Sequence, residues 1–456
     1  MEVKNLKFDV VIIGGGPAGM TVATTVLAAY PKKTVALVKK EGQTLIPCGI
    51  PYTLATLKSV ESDLLSTKGI ESKGVKVIID EVKTLDVDAK MIVTTSNGEI
   101  EYDKLVLATG STPIVPRIPG IEMEGIFTVP KDITKISRMK DALKKMNKIA
   151  IIGAGFIGVE VSGEIHKMGK QVTIVEAMER VLPIAFDPEF SSEVQKLLEE
   201  NHVNVITSSR VKEIVGENKV EGLVLESGKR VEVDGVVLAI GYRPNSVLAR
   251  NAGIFIGMTG GIWTDEYMRT SAKDVFAVGD CTEHKEFFSR RPSRLMLAST
   301  AAFDARVAGA NLFNVRLIRE IKGNIGIFST SIFDRTLGAA GGTETEAMES
   351  GFEAICGVSK AVDRHPGTLP DASKVKVKLV FSKASGVLLG GQIMGGKSVG
   401  EMINVLGMAI QNRMTVTDLV ALQIGTQPLL TSSPVVYPIV TAALDAYSKM
   451  HACEEG

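Results

Sequence analysis

One cysteine stands out because its neighbours and its position suit redox chemistry. Cys48 lies in the stretch Thr44–Thr53, TLIPCGIPYT, where two prolines and a glycine interrupt regular helix and strand. Glycine-rich loops lie before it, at Gly14–Gly19, and well after it, at Gly153–Gly158. The thiolate is the form of cysteine that attacks disulfides. A single thiol between two nucleotide loops predicts electron transfer from one cofactor through another to sulfur; the alternative is an inert buried thiol.

The first glycine loop lies between a strand pattern and a helix pattern. Phe8–Ile13 is rich in β-branched residues and predicts a buried strand, Met20–Ala29 predicts a helix, and Thr34–Val38 predicts a second strand. Glycines permit the tight turn and the close approach of a pyrophosphate, and the helix N-terminus supplies N–H donors and a positive dipole. The loop therefore predicts a dinucleotide site rather than an empty turn. Its candidate residues are Gly14, Gly16, Pro17, Ala18 and Gly19.

The end of the second strand departs from the usual pattern. An acidic residue is expected there to accept from a ribose hydroxyl. Val38 is instead followed by Lys39, Lys40 and Glu41. Two alternatives stay open: Glu41 acts from a shifted position, or Lys39 reaches the phosphate or the ribose.

The second glycine loop repeats this arrangement and keeps the acidic residue. Ile149–Ile152 and Gln171–Val175 predict strands, and Val159–Met168 predicts the helix between them. Glu176 lies 18 positions after the last glycine, close to the ~20 expected of the ribose acid. A carboxylate there repels a 2′-phosphate, so we expect NADH in preference to NADPH. Arg180 lies nearby, however, and an arginine at this end of the strand can bind the 2′-phosphate of NADPH. The candidate residues of the loop are Gly153, Gly155, Phe156, Ile157 and Gly158.

Composition limits the protein's class. At 456 residues, the chain is expected to form two or three domains. It has 52 basic and 52 acidic residues, and this balance gives no indication that the protein binds nucleic acid or an anionic membrane. Four cysteines without a CxxC pair, and scattered histidines, predict a reducing cytoplasmic location and no metal site. The apolar run Val10–Ala29 is broken by glycines and a proline, so we expect a soluble protein without a membrane span or signal peptide.

Four further segments complete a resemblance to a known family. Leu105–Gly110 and Val237–Gly241 each predict a strand that delivers a glycine turn, and Asp274–Asp280 reads DVFAVGD. With Lys376–Phe381, these segments make the chain resemble the flavin-dependent pyridine nucleotide–disulfide oxidoreductases, from about residue 8 to residue 446. The resemblance implies an α/β fold with two Rossmann-like dinucleotide-binding domains, a C-terminal α+β dimerisation domain, FAD and NADH as cofactors, and a homodimer.

The resemblance also implies domain boundaries and site residues. The FAD-binding domain is expected at 1–115 and 250–325, the NADH-binding domain at 116–249, and the dimerisation domain at 326–456. Asp280 is expected to bond the ribityl chain of FAD, and Glu160 to lie near the nicotinamide carboxamide. The remaining cofactor-binding residues that the resemblance implies are Val82, Ala108, Thr109, Gly110, Gly241, Gly279 and Ala298. In the C-terminal domain we expect strands Ile325–Phe333, Phe352–Lys360 and Val375–Phe381 and helices Gly400–Arg413 and Pro438–Met450.

Missing residues select a branch of that family. The dithiol reductases carry a second cysteine where this chain has Thr53, and a His-Pro dyad where it has Gln427 and Pro428. Peroxidases and water-forming oxidases carry a histidine at about Pro17. The CGIPY stretch is most similar to the cysteine motif of the single-cysteine enzymes that reduce coenzyme A-disulfide, polysulfide or persulfide. An NADH oxidase and an electron-transfer flavoprotein that reduces a protein carrier are the alternatives.

The resemblance implies a catalytic cycle on Cys48, with coenzyme A as a further candidate ligand. Gly49 is expected to let the flavin ring approach closely. Candidate proton donors for the leaving thiolate are Tyr437, Gln427 and His365, with a packing tyrosine and a solvated loop histidine as the alternative interpretations. The other cysteines are expected to be structural: Cys281 buried near the flavin, Cys356 in a strand-like run, and Cys453 in a polar tail.

Overall fold

The computed structural model of the chain describes residues 6–320 and 323–452, so Cys453 lies outside the described part. The first part of the chain supplies most of a large sheet. Its elements are β1 (Leu6–Ile13), α1 (Pro17–Ala29), β2 (Val35–Lys39), α2 (Lys68–Glu71), β3 (Lys76–Ile79), β4 (Val82–Asp86), β5 (Met91–Thr94), β6 (Glu99–Leu107) and β7 (Ser111–Pro113). Short 3₁₀ turns at Pro47–Gly49, Pro51–Thr53 and Val60–Asp63 follow β2.

The first sheet has the order β3-β2-β1-β6-β5-β4, with β1 parallel to both of its neighbours. The apolar half of β1 is buried, as expected for a central parallel strand. Helix α1 starts at Pro17, three residues before the predicted start at Met20. Proline is favoured in the first helical turn because its missing N–H would have no partner there.

The middle of the chain forms an inserted region with its own parallel sheet. Its elements are β8 (Ile126–Thr128), α3 (Ile133–Lys144), β9 (Lys148–Ile152), α4 (Phe156–Lys167), β10 (Gln171–Val175), α5 (Pro188–Glu200), β11 (Asn204–Ile206), β12 (Val211–Val215), β13 (Gly222–Leu225), β14 (Arg230–Glu232), β15 (Gly235–Leu238), β16 (Tyr242–Pro244) and α6 (Val247–Asn251). The second sheet has the order β11-β10-β9-β15-β8, while β12–β14 form a small antiparallel sheet. β16 pairs with β7, so entry and exit of the inserted region lie side by side.

The chain then returns to the first sheet. This segment comprises β17 (Val275–Ala277), β18 (His284–Lys285), β19 (Pro292–Ser293) and α7 (Ala298–Asn311). β17 pairs in parallel with β6 and becomes the seventh strand, and α7 shares an apolar core with α1. The first sheet is therefore built from segments that lie on both sides of the inserted region in sequence.

The C-terminal region is an antiparallel sheet covered by helices. Its elements are β20 (Ile327–Ile332), β21 (Arg335–Gly341), α8 (Glu344–Glu349), β22 (Ala354–Val362), β23 (Lys374–Ser382), β24 (Leu388–Gly395), α9 (Val399–Gln411), α10 (Val416–Val420) and α11 (Pro438–His451). The third sheet has the order β20-β21-β24-β23-β22, and α9 and α11 share its apolar core. The sequence interpretation missed β21 and β24, whose glycine residues, with alanine in β21, carry a weak strand signal.

The segment around Cys48 packs on the inserted region rather than on the first sheet. Leu45, Ile50, Leu54 and Val60 are buried in one cluster with side chains of α3 and α4, whereas the first sheet has separate clusters. In residues 6–320 and 323–452, no helix is long and apolar enough to cross a membrane.

Candidate functional site

The two glycine loops have the same backbone geometry. Gly16 precedes α1 with φ −78° and ψ −174°, and Gly155 precedes α4 with φ −72° and ψ −177°. A Cβ atom placed on either glycine would meet no other atom within 4 Å. Each loop thus presents an open face at the N-terminus of a helix of 13 or 12 residues. This is the space and the N–H donor set that a dinucleotide pyrophosphate needs, so both loops fit the cofactors.

The other glycines of the loops serve close packing. A Cβ at Gly14 would lie 2.1 Å from the carbonyl oxygen of Ala108, and one at Gly19 would lie 1.9 Å from that of Gly14. A Cβ at Gly158 would lie 2.0 Å from the carbonyl oxygen of Gly153. Because any side chain would push the helix off the strand, these glycines keep each helix N-terminus against the end of its sheet.

Glu176 lies at the end of β10 beside the second loop. Its Oε2 accepts a hydrogen bond of 2.6 Å from the N–H of Ala154, and its Oε1 accepts one of 2.8 Å from the N–H of Met178. These bonds hold the buried carboxylate in one orientation at the edge of the open face. The geometry suits the ribose contact that was predicted for it.

Lys39 is the structural counterpart of Glu176 in the first loop. The N–H of Gly14 donates to the carbonyl oxygen before Lys39, just as the N–H of Gly153 donates to the one before Glu176. Lys39 is buried, its aliphatic chain crosses Gly15, and burial lowers the pKa of its ammonium. Glu41 is exposed. Of the two alternatives, Lys39 is the residue that borders the loop.

The residues implied by the resemblance lie at strand and helix ends. Thr109 follows β6, and its hydroxyl donates to the carbonyl oxygen of Asn245 at 2.6 Å. Val82 opens β4 and Ala298 opens α7. Positive φ angles at three turns, +67°, +103° and +73°, explain why glycine stands there: Gly110, Gly241 and Gly279. Their contacts with FAD or NADH stay predictions.

Asp280 is held by groups from two other segments. Its Oδ2 accepts hydrogen bonds from Ser111 Oγ at 2.8 Å and from Lys131 Nζ at 2.7 Å. Burial disfavours the carboxylate, but Lys131 and Ser111 outweigh this effect and lower the pKa of Asp280. Sequence analysis missed Lys131, which follows β8 without any motif that marks it.

Cys48 lies in the 3₁₀ turn Pro47–Gly49, and its side chain is exposed. Although solvent reaches the thiol, the protein around it and the carboxylate of Glu160 raise its pKa, whereas Lys131 opposes the rise. A carboxylate on α4 and the ammonium that binds Asp280 therefore act in opposite directions on the pKa of this thiol.

Position 49 must be glycine because a buried carboxyl group lies against its backbone. A Cβ at Gly49 would lie 1.8 Å from Oδ1 of Asp63, so the carboxyl group of Asp63 already requires glycine at this position. The predicted close approach of a flavin ring at Gly49 stays a prediction. Asp63 is buried, and within the described ranges its Oδ2 has no hydrogen-bond partner. Burial raises the pKa of Asp63 to about 6.

Glu160 joins side chains from three parts of the chain. Its Oε1 accepts a hydrogen bond of 2.7 Å from Thr330 Oγ1 of β20, and the Tyr52 hydroxyl also favours its ionised form. Burial raises the pKa of Glu160. A cavity of about 120 Å³ adjoins these groups and is also lined by Thr56 and Lys167. Sequence analysis missed Tyr52, although it stands in the cysteine stretch, and Thr330.

The predicted proton donors lie in the C-terminal region. His365 Nδ1 is 2.9 Å from the carbonyl oxygen of Thr431, and Tyr437 is buried in the core beneath α11, where burial raises its pKa. No hydrogen bond between described residues joins either side chain to the Cys48 turn of the same chain. Their proposed role would require a second copy of the chain.

The other described cysteines lie away from solvent or in a strand. Cys281 is fully buried beside Leu107, as predicted, and Cys356 lies in β22, where burial raises its pKa to about 12. Among residues 6–320 and 323–452, no group of three His, Cys, Asp or Glu side chains could hold a metal ion.

Comparison with known proteins gives consistent matches over nearly the whole chain. The family model described as pyridine nucleotide-disulphide oxidoreductase matches residues 8–305, and the model of that family's dimerisation domain matches residues 327–436. A "NAD(P)H sulfur oxidoreductase (CoA-dependent)" from Pyrococcus abyssi is 33% identical over 423 residues, which cover 91% of this chain and 93% of the relative.

Two further matches carry different names. An "NADH oxidase" from Methanocaldococcus jannaschii is 32% identical over 454 residues, covering 96% of this chain and 99% of the relative. Among solved structures, a NAD-dependent persulfide reductase from A. fulgidus superimposes with a TM-score of 0.90 at 31% identity, covering 99% of this chain and 84% of that one. Both names therefore occur among relatives of similar distance.

Proposed function

Because the chain belongs to the pyridine nucleotide-disulphide oxidoreductase family, whose members use FAD and NAD(P)H, we propose that it reduces a disulfide, persulfide or polysulfide at Cys48. Coenzyme A-disulfide is the model substrate, and NADH is the preferred donor. The names of the relatives from P. abyssi and A. fulgidus support sulfur as the electron acceptor.

The observation that carries this proposal is the position of Cys48. Its exposed thiol lies in a turn that is followed by Ile50 and Leu54, which pack with side chains of α4, the helix that starts at the second glycine loop. Glu160 of α4 and Lys131, which binds Asp280 of the second flavin motif, both influence the pKa of this thiol. A substrate sulfur can reach this thiol from solvent. Cys281, by contrast, is fully buried.

The residues that would hold the cofactors follow from the two loops. FAD would bind at Gly14–Gly19, with Lys39 at its edge and Asp280 at the ribityl chain. NADH would bind at Gly153–Gly158, with Glu176 on its ribose and Glu160 near the nicotinamide. When bound, FAD takes two electrons from NADH and delivers them to sulfur.

Cys48 acts as the nucleophile in the sulfur half of the reaction. Its thiolate attacks one sulfur of the disulfide RSSR, an S–S bond forms to Cys48, and one RS⁻ leaves. Two electrons then cleave the bond to Cys48, which regenerates its thiolate and releases the second RS⁻. Overall, RSSR, NADH and H⁺ give two RSH and NAD⁺, with protons supplied to the leaving thiolates. His365 and Tyr437 are the proposed donors, each from a second copy of the chain.

Self-association is part of the proposal. The C-terminal region matches a dimerisation domain, and its stretch before α11 exposes several apolar side chains. These are Leu429, Leu430, Val435 and Val436. We expect a homodimer that buries them.

The test replaces the thiol by a hydroxyl. Purified Cys48→Ser protein should contain FAD but lose reduction of coenzyme A-disulfide and of polysulfide by NADH, because serine cannot form the S–S bond. Cys356→Ser is the matched control and should keep both activities. Full sulfur reduction by the Cys48→Ser variant would refute the proposal.

An NADH oxidase is the second candidate function. It is favoured by the M. jannaschii relative's name, and in it Cys48 would cycle only incidentally. Oxygen consumption in the absence of any sulfur compound measures this activity directly. A flavoprotein that reduces a protein carrier is the alternative of another class, and alkylation of Cys48 should leave such an activity unchanged.

A further inference from the structure

The segment after Cys48 is bound by side chains of the inserted region. Glu164 of α4 is 2% exposed, and its carboxylate accepts from the N–H of Ala55 at 3.2 Å and from that of Thr56 at 2.7 Å. The hydroxyl of Thr56 donates to the other carboxylate oxygen at 2.7 Å. Hydrogen bonds to an ionised acceptor are stronger than neutral ones, and here several converge on one buried group.

Two lysines of the inserted region add further hydrogen bonds to this contact. Lys167, one helical turn after Glu164, donates to Glu164 Oε1 at 2.7 Å and to the Thr56 hydroxyl at 3.0 Å. Lys140 of α3 donates to the carbonyl oxygen of Thr53. The N–H groups of the segment are thus held by a carboxylate, and a carbonyl group is held by an ammonium, both from the inserted region.

Apolar packing also links the segment after Cys48 to the inserted region. Ile50 and Leu54, on either side of Thr53, are buried in the core that α3 and α4 share. The first sheet, which carries the first glycine loop, has its own clusters without these side chains. The position of the thiol is therefore set more by the inserted region than by the sheet to which the segment is joined in sequence.

We propose that Glu164 is a positioning residue for Cys48: it ties the segment that follows the thiol, at Ala55 and Thr56, to the helix that starts at the second glycine loop. The inference rests on the proposed function, in which that loop holds NADH and that thiol receives the electrons. The Glu164 carboxylate contacts neither Cys48 nor the open face of the loop. It acts through the backbone of Ala55 and Thr56.

The experiment compares Glu164→Gln and Glu164→Ala with Glu200→Gln. Glu200 is an exposed glutamate of the same region, paired with a lysine one turn away on its helix, so it controls for loss of a carboxylate. The first readout is the rate of alkylation of Cys48 by iodoacetamide against pH, with the flavin bound. In both Glu164 variants the profile should shift to lower pH, because a released turn exposes the thiol to more water.

The second readout separates positioning from general damage. The kcat/KM for coenzyme A-disulfide should fall roughly tenfold to a hundredfold, whereas the Kd for NADH and the FAD content stay at wild-type values. Glu200→Gln should match the wild type in every measurement. If Glu164→Ala fails to fold, Glu164→Gln and Lys140→Met decide, since both keep the shape of the replaced side chain.

Each outcome has one meaning. Alkylation profiles of both Glu164 variants that coincide with that of Glu200→Gln would overturn the positioning role, whatever the activities are. A shifted profile in the Glu164 variants, together with a wild-type protein that reduces no sulfur compound, would leave the positioning role standing and refute the proposed function. A fall in kcat/KM together with loss of FAD or weaker NADH binding, and without a shifted profile, would also overturn it.

Discussion

Replacement of Lys378 by methionine should release the inserted region from the C-terminal region. Lys378 of β23 is 6% exposed, and its ammonium lies 3.0 Å from Asp187, 2.7 Å from Glu189 and 2.7 Å from Glu344. Asp187 and Glu189 stand at the start of α5, so the lysine joins the two regions. Burial disfavours the ammonium, but the three carboxylates outweigh it and raise the pKa of Lys378.

The burial of each partner decides the size of the effect. Asp187 is 1% exposed and also accepts from Gln392 Nε2 at 2.6 Å, whereas the side chains of Glu189 and Glu344 are 42% and 38% exposed. Breaking a buried pair costs about 3–5 kcal/mol because a charge is left without a partner. Pairs with exposed partners contribute only about 0.2–1 kcal/mol each. Lys378→Met should therefore cost about 3–5 kcal/mol, nearly all of it through Asp187.

Thermal unfolding followed by circular dichroism measures this cost. A loss of that size should lower the midpoint of the affected unit by roughly 10 °C, given about 2–4 °C per kcal/mol for 150–250 residues. Glu189→Gln is the control and should shift the midpoint by roughly 4 °C or less. The double variant Lys378→Met, Asp187→Asn should recover part of the loss, because it removes the unpaired charge. Equal shifts for Lys378→Met and Glu189→Gln would refute the reasoning.

Two further predictions concern a buried histidine and the ribose acid. His284 directs Nδ1 at a carbonyl oxygen at 2.9 Å and Nε2 at Asp304 at 2.8 Å, so both nitrogens donate; burial would lower its pKa, but Asp304 outweighs this and raises it. The stabilising contribution of His284 should be complete below about pH 6.5 and should be lost as the pH rises through the folded-state pKa. The measurement compares the unfolding midpoints of the wild type and His284→Gln across this pH range. A difference between the two midpoints that does not change with pH would contradict the assignment. Glu176→Gln should lower the NADH to NADPH ratio of kcat/KM about tenfold, as one charge-assisted hydrogen bond contributes about 1.5–3 kcal/mol. The same substitution at exposed Glu179 should not change the ratio, and an unchanged ratio in Glu176→Gln would show that the carboxylate does not bind the ribose.

Local sequence patterns predicted the elements that are defined by neighbouring residues. The strand Gln171–Val175 has the bounds that the sequence predicted, and both glycine loops lie between a parallel strand and a helix. Periodicity of apolar residues and the backbone freedom of glycine act over a few positions, so they can be read along the chain. Strand β21 escaped because alanine and glycine carry little local preference, and its partners β20 and β24 stabilise it.

The residues of the candidate site also fall into two groups, those that local sequence patterns reveal and those that only the folded chain brings together. Cys48 and the glycine loops were evident from residue type and spacing, and the family resemblance predicted chemistry at a single thiol. Which residues surround that thiol was decided by packing. Lys131, Asp63 and Glu164 lie outside any motif. Lys131 influences the pKa of Cys48, Asp63 packs against Gly49, and Glu164 binds the backbone of Ala55 and Thr56, all only because separate segments come together in the fold.

By itself, the sequence determined that the chain has two nucleotide loops and one well-placed cysteine, because these are properties of short stretches. Only the tertiary structure decided that the cysteine turn packs on the inserted region, that Lys39 stands where Glu176 stands in the second loop, and that Asp63 requires Gly49. The physical reason is that burial and charge depend on distances in space. Residues such as Thr56 and Glu164, which are far apart in sequence, come within 2.7 Å only in the folded chain.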